Sequence, residues 1–139
     1  MITFFDTNIF IYAIDAGEPT KKKRAIERIS QARDEGTVAL STQVLQEFYS
    51  ITTRKLRPAL TAQEANQYVK QLCEFQVIGA DAQSIQAACA LTAKHKMQWW
   101  DALILEAALR VQASVLVSED GQTGQRFGGL VIENPFTTA

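Results

Sequence analysis

The sequence predicts an α/β domain with a mainly parallel central sheet flanked by helices. Three observations lead there. Short apolar runs recur at Ile2–Phe5, Val38–Ser41, Phe75–Ile78, Val115–Val117 and Leu130–Ile132, each the length of a buried strand. Segments of helical periodicity separate most of them, and parallel strands require such crossovers. The chain has 139 residues, 47% hydrophobic and 21% charged, which fits one ordinary globular domain over residues 1–139 and excludes a disordered chain.

The elements follow in order. Ile2 to Phe5 is the first strand, and Asp6-Thr7-Asn8 is a turn or cap before a short helix over Ile9 to Ala16. Gly17-Glu18-Pro19 breaks that helix. Thr20 is the expected N-cap of the next, which runs to about Glu35 with Ala25, Ile26, Ile29 and Ala32 inward and Gly36 as its stop. After Val38–Ser41, Thr42 is expected to cap a helix with Val44, Leu45, Phe48, Tyr49, Thr52 and Leu56 at helical spacing, ending before Pro58. Thr61-Ala62-Gln63-Glu64 has the form of a capping box and opens a helix to about Cys73. Asp81 caps a helix through Lys94, and Gln98 to Val111 is another, apolar at Trp99, Trp100, Leu103, Ile104, Ala107, Ala108 and Val111. At least one of the two indoles is expected in the core. Gly121 to Gly129 reads as a glycine-rich loop, but no Gly-Lys-Ser/Thr follows to make it a phosphate-binding P-loop.

Composition narrows the function. No apolar run reaches the ~18–20 residues of a membrane span, and Met1–Asp6 lacks the basic start of a signal peptide. A cytoplasmic protein is expected, with Cys73 and Cys89 as reduced, buried thiols. The lone histidine, His95, argues against a histidine triad or a multi-histidine zinc site and reads as a surface residue. Formal net charge is −1, yet basic residues cluster at Lys21-Lys22-Lys23-Arg24 with Arg28, at Arg54-Lys55 with Arg57, and at Lys94-His95-Lys96. Each cluster alone reads as a solvated helix face.

Ligands of parallel α/β sheets bind beyond the carboxyl ends of the strands, and four acids fall there. Asp6 follows the first strand and Asp120 follows Val115–Ser118, while Glu47 and Asp101 lie early in helices. Taken singly, each has a structural explanation as cap, dipole partner or turn former. Together they would converge on one rim. Two carboxylates ~4 Å apart repel by about 4 kcal/mol at an effective dielectric of 20, so such a set calls for protons, basic partners or a divalent cation. Oxygen donors without histidine or thiolate select Mg²⁺ or Mn²⁺ over zinc.

Asp6-Thr7-Asn8, Glu47 within Thr42–Tyr49, Asp101 within Trp100–Ile104, and Ser118-Glu119-Asp120 resemble, in order, the four signature elements of PIN-domain ribonucleases. The whole chain is most similar to the VapC-like toxins of bacterial toxin–antitoxin modules, down to Ser118–Phe127 and the closing Asn134-Pro135-Phe136. The resemblance implies a Mg²⁺- or Mn²⁺-dependent endoribonuclease acting on structured RNA such as tRNA or ribosomal RNA. It also implies a small cognate antitoxin and a homodimer. Asp6, Glu47 and Asp101 would be the core metal-binding acids and Asp120 the fourth, with Ser118, Thr7 and Asn8 in support. Of the adjacent acids, alternation along an extended segment puts Ser118 and Asp120 on one side and Glu119 on the other. Lys21, Lys22, Lys23, Arg24 and Arg54 are the candidate RNA contacts.

Two other classes compete. An aspartyl-phosphate phosphatase would need a second Asp where Asn8 stands, and a receiver domain would want a lysine where Ser118-Glu119-Asp120 stands. An RNA- or protein-binding module without catalysis would not need all four acids.

Overall fold

The computed structural model describes residues 1–137, so the last two residues of the expected domain lie outside the described residues. Six strands form one sheet in the order β3-β2-β1-β4-β6-β5. They are β1 (Thr3–Phe5), β2 (Val38–Ser41), β3 (Gln76–Ile78), β4 (Val115–Val117), β5 (Arg126–Phe127) and β6 (Leu130–Glu133). All pairings are parallel except β5 with β6. The helices are α1 (Thr7–Tyr12), α2 (Pro19–Glu35), α3 (Thr42–Arg54), α4 (Ala62–Leu72), α5 (Ala82–His95) and α6 (Trp99–Arg110). Right-handed crossovers place α1–α4 on one face of the sheet and α5–α6 on the other, consistent with which helices pack together.

The order reverses direction between β1 and β4. A crevice opens at such a switch point, past the carboxyl ends of the two strands. Register decides what enters it. Phe5 pairs with Val117, so Asp6 and Ser118 leave the sheet side by side, and the Asp6 N–H still donates to the Val117 carbonyl at 3.0 Å.

The core beneath is built from both faces of the short strands. Phe4, Phe5, Ala39, Leu40 and Val117 are fully buried, together with Ile9, Val44, Phe48 and Leu105 from the helices. The sequence named the right segments, but several boundaries move for local reasons. Helix α1 starts at Thr7 because the Asp6 carboxylate accepts its N–H at 2.7 Å and caps it. Thr20 is not the cap of α2: Pro19 occupies the first turn, and its missing N–H is no loss there. Ser41, not Thr42, is the N-cap residue of α3. The capping boxes of α4 and α5 form as Thr61/Glu64 and Asp81/Ser84. Gly36 ends α2 at φ 71°, a conformation that favours glycine.

Further expectations are corrected. The Gly121–Gly129 segment is not all loop, since Arg126–Phe127 form β5 and pair with Val131 and Leu130. Cys73 and Cys89 are exposed; Ala88 and Ser84 take the inward positions of α5, and Cys89 turns outward one residue further round the helix. Neither indole joins the buried cluster: Trp99 is half-buried and Trp100 is 61% exposed. Ile26 and Tyr49 also lie exposed on the shoulders of their helices.

Phe5 is fully buried and its ring meets Phe10 at 5.5 Å. Phe5→Ala should therefore destabilise the domain by about 3–5 kcal/mol, read as a lowered urea midpoint with an unchanged slope.

Candidate active site

Asp6, Glu47, Asp101 and Asp120 line one cavity of about 80 Å³ at the switch point, together with Thr7, Asn8, Gln43, Ile51, Trp100 and Ile104. Each acid arrives by a different route. Asp6 directly follows β1 and Asp120 stands just beyond β4. Glu47 is carried by α3, which starts directly at the end of β2, and Asp101 sits in the first turn of α6.

Hydrogen bonds fix most of these side chains. The Asp6 carboxylate accepts the Thr7 N–H at 2.7 Å on Oδ1 and the Ser118 hydroxyl at 2.9 Å on Oδ2. Ser118 Oγ in turn accepts the Asp120 N–H at 3.0 Å. The Thr7 hydroxyl donates to Glu47 Oε1 at 2.7 Å, so Thr7 orients the second acid with its side chain and the first with its backbone. Asn8 lines the cavity wall. Gln43 was not singled out by sequence, yet its Nε2 lies 3.3 Å from Glu47 Oε1 and 3.4 Å from the Trp100 carbonyl. The available signal was its position one helical turn before Glu47.

Burial and neighbouring carboxylates raise the proton affinity of Asp6 and Asp101. Burial, and then the charges of Asp120 and Glu47, push Asp6 up to about 6 against the opposing bonds from Ser118 and Thr7. Burial and the same two carboxylates also raise Asp101. Among the described residues, no three acidic, His or Cys side chains form a finished metal-binding group. The four nonetheless line one cavity whose walls include no Lys or Arg. The donor chemistry fits a hard divalent cation: all-oxygen, and strained by a negative charge that a cation would relieve.

A second cavity of about 190 Å³ shares Asp6, Asp101, Asp120 and Ile104 with the first. Leu105, Leu116, Met97, Phe127 and Ile132 give it apolar walls, and His95 and Gln125 add polar groups. His95 is exposed, as expected, but it also stands edge-on to Phe127 at 5.0 Å, which sequence did not suggest.

Glu119 points elsewhere. It pairs with Lys21 and accepts the Tyr12 hydroxyl at 2.9 Å. Lys21 is thus engaged within the protein rather than presented to a partner. Lys23 and Arg24 line an open groove along α2 with Arg28, whose guanidinium holds Glu133 at 2.6 Å. Arg54 is exposed at the last turn of α3.

The PIN domain family model matches residues 3–125, which hold all four carboxylates in order. The chain belongs to the PIN domain family. A comparison with curated proteins finds no match. Solved structures of similar fold include a toxin–antitoxin complex from Klebsiella pneumoniae, 20% identical with TM-score 0.68, covering 98% of this chain and 99% of that one. VapBC2 from Rickettsia felis, bound to a DNA fragment from its promoter, is 21% identical with TM-score 0.69 over 96% and 98% of the chains. VapC20 from Mycobacterium tuberculosis, a toxin that cleaves the sarcin-ricin loop, is 20% identical with TM-score 0.64 over 86% and 90%. This PIN domain shares their fold over most of its length.

The raised Asp6 carboxyl gives a test of the electrostatics. Its affinity for protons is higher folded, at about 6, than its ordinary 3.8, so folding stability falls as pH rises through that window. In chelator, Asp6→Asn keeps an oxygen for the Thr7 N–H and removes the charge. The variant should be more stable than wild type above pH 6, by up to about 3 kcal/mol, and the gap should close below pH 4. Chemical denaturation across pH 3.5–8 measures it.

Proposed function

We propose that this PIN domain is a metal-dependent endoribonuclease that hydrolyses RNA phosphodiester bonds, and that it is the toxin of a toxin–antitoxin module. The observation that carries the reading is the ring of Asp6, Glu47, Asp101 and Asp120 around one cavity at the switch point. Membership of the PIN family supports it, as do neighbours of the same fold that are toxins in complex with antitoxins or a toxin that cleaves an RNA loop. The aspartyl-phosphate alternatives have no comparable support, because the residues they need are absent at Asn8 and Ser118–Asp120.

Asp6, Glu47, Asp101 and Asp120 would hold Mg²⁺ or Mn²⁺. When bound, such an ion supplies a water of lowered pKa and neutralises charge on a phosphoryl oxygen. The protein's own contribution is arrangement. Ser118 holds Asp6 and the Asp120 backbone together, Thr7 and Gln43 hold Glu47, and the half-buried setting of Asp101 keeps its carboxyl responsive to the charge beside it. Trp100, exposed at the cavity rim, offers a flat face on which a base beside the scissile bond could stack.

Four carboxylates repel a phosphate backbone, so approach needs cations nearby. Lys22, Lys23, Arg24 and Arg54 are the proposed contacts for a structured RNA. A cognate antitoxin would inhibit by placing an Arg or Lys among the same carboxylates, Arg being favoured for its bidentate fork. No helix among the described residues is long and apolar enough to cross a membrane, and a homodimer acting on cytoplasmic RNA is the proposed working form.

Cleavage of a tRNA and rRNA panel should require Mg²⁺ or Mn²⁺ and stop in EDTA. Asp101→Asn should lower kcat by about 100-fold, and expression of the wild type alone should arrest growth. Full cleavage in excess chelator would sink the metal mechanism. Nuclease activity without arrest would remove the toxin role and leave the enzyme.

Replacing Lys22, Lys23 and Arg24 together with Ala should weaken RNA binding and flatten its salt dependence, by about one unit of slope for each phosphate left without a cation. The effect should appear in KM rather than kcat. An unchanged slope would return this cluster to the role of a solvated face.

A further inference from the structure

Asp120 poses a positioning problem. Strand β4 ends at Val117, Asp120 is exposed, and Gly121 turns the chain at φ 93°, where other residues are strained. No strand ladder holds the carboxylate over the cavity.

The adjoining residue is held tightly instead. Glu119 Oε1 accepts the Tyr12 hydroxyl at 2.9 Å, Oε2 pairs with Lys21, and its carbonyl accepts Asn134 Nδ2 at 3.3 Å. Lys21 Nζ sits 4.7 Å from the centre of the Tyr12 ring and 5.6 Å from that of Phe136, and the two rings meet edge-on at 5.0 Å. Asn134 also receives the Phe136 N–H at 2.9 Å on Oδ1 and donates its own N–H to Thr123 Oγ1 at 3.1 Å. Three distant segments, α1, α2 and the Asn134–Phe136 tail, therefore converge on one turn.

We infer that Lys21 and Tyr12 are positioning residues: by drawing Glu119 toward α2 they turn Asp120 toward the acid cavity. Glu119 and Asp120 are adjacent in the bend that follows β4, so holding the Glu119 side chain and carbonyl restricts the backbone that aims the Asp120 carboxylate. Ser118 pins the near side of the turn through the Asp120 N–H, and Thr123 pins the far side through Asn134. This inference rests on the reading of Asp120 as one of the metal-holding acids. It also gives the basic cluster on α2 a divided role, with Lys21 acting inward and Lys23 and Arg24 bordering the open groove.

The test is Mn²⁺ binding to the purified full chain without RNA, by calorimetry, alongside kcat and KM for RNA cleavage. Lys21→Met and Asp120→Asn should each weaken Mn²⁺ binding about tenfold, and the double variant should be no weaker than Asp120→Asn alone. Tyr12→Phe keeps the ring contacts and should give a smaller loss, while Lys21→Arg should recover most of the affinity. KM for RNA, measured at saturating Mn²⁺, should stay constant in the Lys21 and Tyr12 variants. Circular dichroism melts establish folding, and if Lys21→Met does not fold, Tyr12→Phe decides. Wild-type Mn²⁺ affinity in folded Lys21→Met, or in Tyr12→Phe where Lys21→Met does not fold, would overturn the positioning role, as would additive losses in the double variant or a rise in KM with a flatter salt slope. A wild type that binds no Mn²⁺ would instead overturn the metal-dependent reading, and this inference with it.

Discussion

Ser118 Oγ donates to Asp6 Oδ2 at 2.9 Å and accepts the Asp120 N–H at 3.0 Å, and the shape of the acid cavity depends on that shared hydroxyl. It can do both because β1 and β4 are neighbours in register, with Phe5 opposite Val117. A parallel sheet whose order reverses between these strands leaves a gap past their ends, and the residues that leave the sheet there are Asp6 and Ser118. The remaining two acids reach the same gap from the starts of helices that leave or face the sheet on that side.

Collecting carboxylates is unfavourable, and the structure shows how the cost is contained. Asp6 takes two hydrogen bonds and Glu47 accepts from Thr7 and Gln43, yet burial and mutual repulsion still raise Asp6 and Asp101. The offset comes from below, where Phe4, Phe5, Leu40, Val117 and Phe48 are almost wholly removed from water. A domain with that core tolerates a strained rim, and strained rims are where function is found.

Opposite charge is kept away from the cavity and used on the flank. Lys21 is committed to Glu119 and Arg28 to Glu133, so two cations of the α2 cluster hold the chain beyond β4 and the end of β6 to the helix. Arg110 similarly bridges the buried Glu106 and the Gly79 carbonyl, joining α6 to the segment after β3. Sequence counted these basic residues as clusters but could not tell a tether from a free charge. Which acid a lysine meets depends on residues some hundred positions away.

By itself the sequence determined the fold class, the five apolar strands, the helical segments and the caps at Thr61 and Asp81, because periodicity, caps and turn residues act within a few positions of themselves. It also placed Asp6 and Asp120 at strand ends, since a strand's end is a local property. Tertiary structure alone decided the strand order, the β5–β6 hairpin, the outward turn of Cys89 and the exposure of Trp100. It also decided that Thr7 serves Glu47, that Gln43 joins it, and that Glu119, which the sequence already set on the side opposite Asp120, meets Lys21 and Tyr12. The reason is physical: these depend on register and on contacts between segments far apart in the chain, which have no local pattern to betray them.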